Sequence, residues 1–305
     1  MSDQIKIKVP ASTSNLGPGF DTLSLALDLF NEFTFKITKD GLKINQENSS
    51  KLPVDSTNLV YRAFCEPFKK LRKTPPGVEL NINCQIPLAA GLGSSASAVV
   101  SGLFAANTFL DNPFKKDELL SLATILEGHP DNAAAAIYGG LTISVTSDEK
   151  VFVSQFPWPK ELLIIVLIPD FELPTRISRE LLPAQIPYGD ATFNVSRTAY
   201  LLSSLLNKDW EGLKIGFQDR LHQPFRKDLV TGMDEVLNEA IKKGACGATL
   251  SGAGPTLVAF VNDKNKALEI GKTMITKWQE FKVKSTYKVL SVATSGAKVE
   301  SLVTK

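Results

Sequence analysis

The stretch Pro87-Leu-Ala-Ala-Gly-Leu-Gly-Ser-Ser-Ala96 stands between two unlike patterns. Before it, Val78, Leu80, Ile82 and Cys84 alternate with polar residues, the period of a half-buried strand. After it, SAVVSGLFAANTFL runs on without a charge, about four turns of a helix buried on most sides. Gly91 and Gly93 lack a Cβ, so the backbone between strand and helix can turn tightly and approach a ligand. Ser94 and Ser95 then stand at the helix start, where unpaired N–H groups and the helix dipole favour an anion. A phosphate is the natural occupant, and a serine hydroxyl there can also reach its Mg²⁺. The same residues would equally make a plain glycine turn with a serine N-cap.

Two familiar phosphate motifs do not account for the stretch. Gly271-Lys272-Thr273 mimics the end of a Walker A loop, but the earlier glycine that loop needs is Lys266. Gly91, Gly93 and Ala96 satisfy G-x-G-x-x-A, the dinucleotide pattern. Here, however, the helix is followed by more helix and not by a second parallel strand ending in an acid.

The N-terminal third is β-rich. Ile5, Ile7 and Val9 alternate with lysines, and Phe33, Phe35 and Ile37 with Thr34 and Lys36. Residues 58–72 read as a helix that Pro67 should kink or end, and 117–126 as another. The proline-rich FPWPK at 156–160 precedes the apolar strand ELLIIVLIP, which places a domain boundary at 155/156 and predicts units 1–155 and 156–305. Helices follow at 176–182, 192–206 and 231–242, then a strand–turn–strand GATLSGAGPTLVAFV, a helix over 264–281 and a strand near 283–291. That order suits an α+β layer on an antiparallel sheet.

Composition agrees with two soluble units. The chain has 305 residues, 43% hydrophobic and 22% charged, and two domains of ~150 residues are the ordinary expectation. Lysine plus arginine number 34 against 32 acids, a balance that excludes nucleic acid or a membrane surface bound through bulk charge. The longest apolar run, Leu162 to Ile168, falls far short of the ~20 residues a bilayer needs. MSDQIKIKVP has no signal-peptide core. Cys65, Cys84 and Cys246 form no CxxC and suit a reducing cytoplasm.

Two further loops carry polar chemistry. Pro10 to Asp21 sets Asn15 and Asp21 on either side of Gly17-Pro18-Gly19, and LSGAGPT (250–256) is a glycine-rich hairpin between apolar strands. The three loops, in this order, resemble the three motifs of the GHMP small-molecule kinases. SNLGPGFD (14–21), EGHPDNAAAAIYGG (127–140), PTRISRELLP (174–183) and HQPFR (222–226) are similar to the homoserine kinase branch of that superfamily, and the likeness spans about residues 10–260.

The resemblance implies an α+β architecture: an N-terminal domain like the ribosomal S5 second domain, then a ferredoxin-like C-terminal domain. It implies transfer of the γ-phosphoryl of MgATP to the side-chain hydroxyl of L-homoserine, a step of threonine biosynthesis, with another amino alcohol such as threonine as the alternative acceptor. It implies a homodimer as well. The phosphates would lie on Pro87, Leu88, Ala89, Ala90, Gly91, Leu92, Gly93, Ser94, Ser95 and Ala96, with Thr175 closing beside them and Asn58 lining the adenine pocket. Ser95 and Glu127 would hold Mg²⁺. The substrate carboxylate would meet Arg179 and Arg226 and its ammonium Asp21, while Asn15 and His129 bond near the reacting end. Asn15, Asp131 and Asn132 would serve catalysis, the last two by position, and His222 is read as structural. A single residue separates Glu127 from His129, where some homoserine kinases insert several.

Overall fold

The computed structural model describes residues 3–48, 51–148 and 150–302. The first unit contains β1 (Gln4–Ser14), β2 (Leu23–Thr38), β3 (Leu42–Glu47), α1 (Leu59–Lys70), β4 (Gly77–Asn83), α2 (Ser94–Phe109), α3 (Lys116–Glu127), α4 (Asp131–Tyr138), β5 (Leu141–Ser147) and β6 (Lys150–Phe156). β2 is the spine of its sheet. Residues 32–38 pair antiparallel with β4, residues 23–25 pair with β5, and β1 runs alongside with a bulge at Pro10/Ala11. β3 adds in parallel beyond β4, and β6 beyond β5.

The alternating residues Ile5, Ile7, Val9, Phe33, Phe35, Val78, Leu80 and Ile82 all turn to one face, where Val99, Val100 and Leu103 of α2 meet them. Each large side chain buried there contributes ~1.5–3 kcal/mol relative to exposure. The four alanines of α4 are fully buried, and their small size lets this helix sit close against β1 and β2. α1 continues past Pro67 and does not stop there. It ends three residues later, so the ring forfeits one hydrogen bond near the terminus and is buried.

The second unit contains β7 (Leu163–Pro169), α5 (Thr175–Glu180), α6 (Tyr188–Asn207), α7 (Trp210–Gly216), α8 (Gln223–Arg226), α9 (Met233–Lys242), β8 (Gly247–Leu250), β9 (Leu257–Val261), α10 (Lys264–Glu280) and β10 (Ser285–Leu290). Its antiparallel sheet runs β10-β7-β9-β8, the ferredoxin-like order. The apolar run of β7 is explained by burial on both faces. Ile165 and Leu167 share a buried cluster with α9 and α10, while Ile164, Val166 and Ile168 share another with Leu23, Leu25 and Leu27 of β2 and Leu201, Leu205 and Leu213 of α6 and α7.

One strand crosses the division expected at 155/156. β11 (Lys298–Ser301) returns to the first sheet and pairs with β1, so the chain's last described strand does not belong with residues 156–290. The return passes tightly over α4: a Cβ on Gly296 would fall 2.2 Å from the Ile137 carbonyl oxygen. Among the described residues, no helix is long and apolar enough to cross a membrane.

Candidate active site

The glycine loop is pressed between the other two motif loops. Gly91 and Gly93 adopt the left-handed backbone, with φ +76° and +70°. A Cβ on Gly93 would lie 2.1 Å from Ser12 Oγ, and one on Gly91 would lie 2.3 Å from the Ser251 carbonyl oxygen. Backbone hydrogen bonds tie the three together: Ser12 N–H donates to Leu92 O (3.1 Å), Gly252 N–H to Ser14 O (3.1 Å) and Thr256 N–H to Ala90 O (3.3 Å). Gly93, not a serine, is the N-cap of α2, and no side chain caps that helix. Its first-turn N–H groups, with the positive end of the dipole, are therefore presented to the cleft.

Across the helix start, Ser95 Oγ donates to Glu127 Oε1 at 2.6 Å. Glu127 ends α3, where Gly128 takes the left-handed C-cap. Burial pushes the Glu127 carboxyl above its usual pKa, against the Ser95 hydrogen bond. Beside it, His129 Nδ1 and Asp131 Oδ1 are 2.6 Å apart. Burial opposes both charges, yet each group stabilises the other's: the Asp131 contact holds His129 above its ordinary pKa, and His129 holds Asp131 below its own. Asp131 also accepts from Asn132 N–H (2.7 Å), and the Asn132 amide bonds both Ser12 and Ser14 of β1.

The opposite wall is cationic. Arg179, on α5, forks onto Asp21 with Nη2–Oδ1 2.6 Å and Nη1–Oδ2 3.1 Å. Arg226 closes α8 and is 1% exposed. It donates to the carbonyls of Ser178 and Gly252 and to His222 Nδ1. Burial, then the neighbouring Arg179 charge, lowers its pKa to about 10, which leaves it charged at neutral pH. Burial keeps His222 neutral, and its Nε2–H donates to the Gly17 carbonyl at 2.8 Å. Asn15, in a left-handed conformation, donates to Gly252 O and accepts from Asp21 N–H. One amide proton and one lone pair are left over for a ligand.

One cleft thus gathers Asn15, Asp21, Glu127, His129, Asp131, Asn132, Thr175, Arg179 and Arg226 with Ala89, Ala90, Gly91, Gly93, Ser94 and Ser95. Leu92 and Ala96 instead turn into the core. Pro87 and Leu88 line an adjoining groove with Cys84, Gln85 and Glu172. Asn58 is not at either place. It is buried, accepting from Val60 N–H and donating to Pro53 O as the N-cap of α1, so the amide expected beside adenine is spent on a helix end. Sequence reasoning passed over Ser12, Ser14, Phe20 and the Gly252–Ala253 backbone. Ser12 and Ser14 are spaced two apart on β1, which places both hydroxyls on one face.

A cleft between two α+β units, with an uncapped helix start on one wall and paired guanidiniums on the other, defines a small-molecule kinase of two domains. The GHMP kinases N terminal domain family matches residues 58–140 and the GHMP kinases C terminal family matches 201–279. A homoserine kinase of Halothermothrix orenii is 43% identical over 287 residues, 92% of this chain and 91% of that protein. A homoserine kinase of Carboxydothermus hydrogenoformans is 45% identical over 84% of this chain and 85% of its own. The crystal structure of homoserine kinase from Cytophaga hutchinsonii superposes with a TM-score of 0.89 at 30% identity, over 98% of each chain. The chain belongs to the GHMP kinases, in their homoserine kinase branch, and as a kinase it uses ATP.

Proposed function

We propose that this protein transfers the γ-phosphoryl group of ATP to the side-chain hydroxyl of L-homoserine, giving O-phospho-L-homoserine and ADP. One observation carries the reading: the uncapped start of α2 and the Asp21–Arg179–Arg226 cluster line the same cleft. A phosphate donor and an amino-acid zwitterion are the two ligands these walls complement.

Phosphoryl transfer asks for positioning and charge stabilisation more than covalent help. The triphosphate would follow the 89–95 backbone, with the nucleoside in the groove lined by Cys84, Gln85, Pro87 and Leu88 and Thr175 beside the phosphates. Ser95 and Glu127 offer one neutral and one anionic hard oxygen at 2.6 Å, a donor pair that suits Mg²⁺, which retains waters and needs few protein ligands. When bound, the ion would neutralise charge on the phosphates.

Homoserine would enter by splitting the Asp21–Arg179 pair. Its ammonium takes the place of the guanidinium at Asp21, and its carboxylate receives Arg179 and Arg226. Each protein charge leaves one partner only to gain another, so the exchange favours a ligand carrying both groups. Asn15 and His129 then lie near the hydroxyl end. Asp131 already accepts from His129 and Asn132 and its pKa is depressed, which makes it a poor base. It acts by holding His129 and Asn132 in place. The homoserine hydroxyl oxygen bonds to the γ-phosphorus, the bond to the ADP oxygen breaks, and the hydroxyl proton passes to a phosphoryl oxygen.

For the homodimer, α6 offers Tyr188, Val195, Ala199 and Leu206, which recur on one helical face and are exposed. The free cysteines fit a cytoplasmic setting. Product identity tests the reading. With ATP and homoserine, ³¹P NMR should gain a monoester resonance coupled to the side-chain methylene protons of homoserine; release of inorganic phosphate alone would refute it.

A further inference from the structure

Phe20 lies beside Asp21 in the first motif loop, yet no step described above needs an aromatic ring there. Its ring centroid is 5.6 Å from the Arg179 guanidinium carbon and 5.4 Å from that of Arg226. The His222 imidazole stacks on the same ring, with centroids 5.4 Å apart and planes at 25°. Three segments distant in sequence, the loop after β1, α5 and α8, therefore converge on one side chain. Phe20 is half-buried, and the two arginines line the cleft while Phe20 does not.

The need for such a contact follows from the charges. Two guanidiniums aimed at one carboxylate repel each other and lose hydration as they are buried. Among the described residues, Arg226 makes no ion pair; its polar partners are two carbonyls and a neutral imidazole. A carboxylate placed behind the arginines would hold them firmly, but it would also neutralise them and compete with the substrate. An aromatic ring attracts cations through its quadrupole without a formal charge. It can fix both arginines without adding a further anion that competes with the ligand.

We propose that Phe20 is a positioning residue that sets the spacing and orientation of Arg179 and Arg226 for the substrate's α-carboxylate. The proposal rests on the reading that these arginines bind that carboxylate. Steady-state kinetics of Phe20→Leu, which keeps apolar bulk but removes the π face, and Phe20→Tyr, which keeps the ring, test it. Phe20→Leu should raise KM for homoserine about tenfold, equivalent to ~1.4 kcal/mol, with kcat and KM for ATP within about twofold of wild type. Phe20→Tyr should restore KM for homoserine to within about threefold. With 3-aminopropan-1-ol, which is homoserine without its carboxylate, Phe20→Leu should match wild type.

An unchanged KM in Phe20→Leu overturns the proposal. So does an equal rise in Phe20→Tyr, or a parallel loss of kcat, ATP affinity and thermal stability, since a purely structural ring would give those. If Phe20→Leu fails to fold, Phe20→Met is read in the same way. Absence of homoserine turnover by the wild-type protein overturns both this proposal and the reading beneath it; normal turnover with an indifferent Phe20→Leu overturns this proposal alone.

Discussion

Asp21 and Arg179 pair with each other, and this has a consequence for selectivity. A ligand with a carboxylate but no ammonium would strip Arg179 from Asp21 and leave that acid unpaired. Asp21→Asn should therefore lower kcat/KM for homoserine by about 10²-fold while raising it for 4-hydroxybutanoate, the analogue without the amino group. A fall for both acceptors in the same proportion would mean that the resting pair plays no part. Glu127 supports a separate prediction. Glu127→Gln keeps the shape and the Ser95 contact but removes an anionic ligand, so the Mg²⁺ concentration giving half-maximal rate should rise about tenfold or more. An unchanged Mg²⁺ curve would remove Glu127 from the metal site. The charged residues were legible one at a time, because each falls inside a motif. Their mutual pairing was not, since nothing in the spacing of Asp21, Arg179 and Arg226 reveals that a fork or a shared ring joins them.

At the level of elements, α2 owes its uncapped N-terminus to a glycine N-cap in the left-handed conformation. The glycines were readable as a tight approach; that the approach is to Ser12 and to the 251–254 backbone required the fold. α1 shows the opposite case, where Asn58, expected in the adenine pocket, caps the helix. Asn58→Ala should cost about 1 kcal/mol of stability, seen as a lower Tm, with KM for ATP unchanged. A raised KM for ATP without loss of Tm would return Asn58 to the adenine pocket. The alternating strands were visible in advance, β1, the second half of β2 and β4, and α2 was visible as a long run without a charge. The first half of β2 was read only as an apolar stretch: Leu23, Leu25 and Leu27 fill one buried cluster and Ala26 another, so no exposed polar face marks it as a strand. β11 was not visible either: it is four exposed residues that are a strand only because β1 pairs with them.

Over the whole molecule, two sheets press their apolar faces together along β2 and β7, and the cleft opens where the three glycine-rich loops cross that seam. The bulk composition, nearly balanced in charge, could point to no ligand, because the charges that matter are few and converge only in three dimensions. Residues from positions 14 to 253 line the one cleft, so its chemistry depends on the full chain being folded. The measurement that bears most directly on the account is ADP release from MgATP with homoserine, threonine, mevalonate and galactose offered separately. Homoserine should exceed every other acceptor in kcat/KM by at least ~100-fold, because only it satisfies Asp21, both arginines and the phosphate loop without an unpaired charge or a misplaced methyl group. Equal or better turnover of threonine, or no ADP release with any of the four, would contradict it.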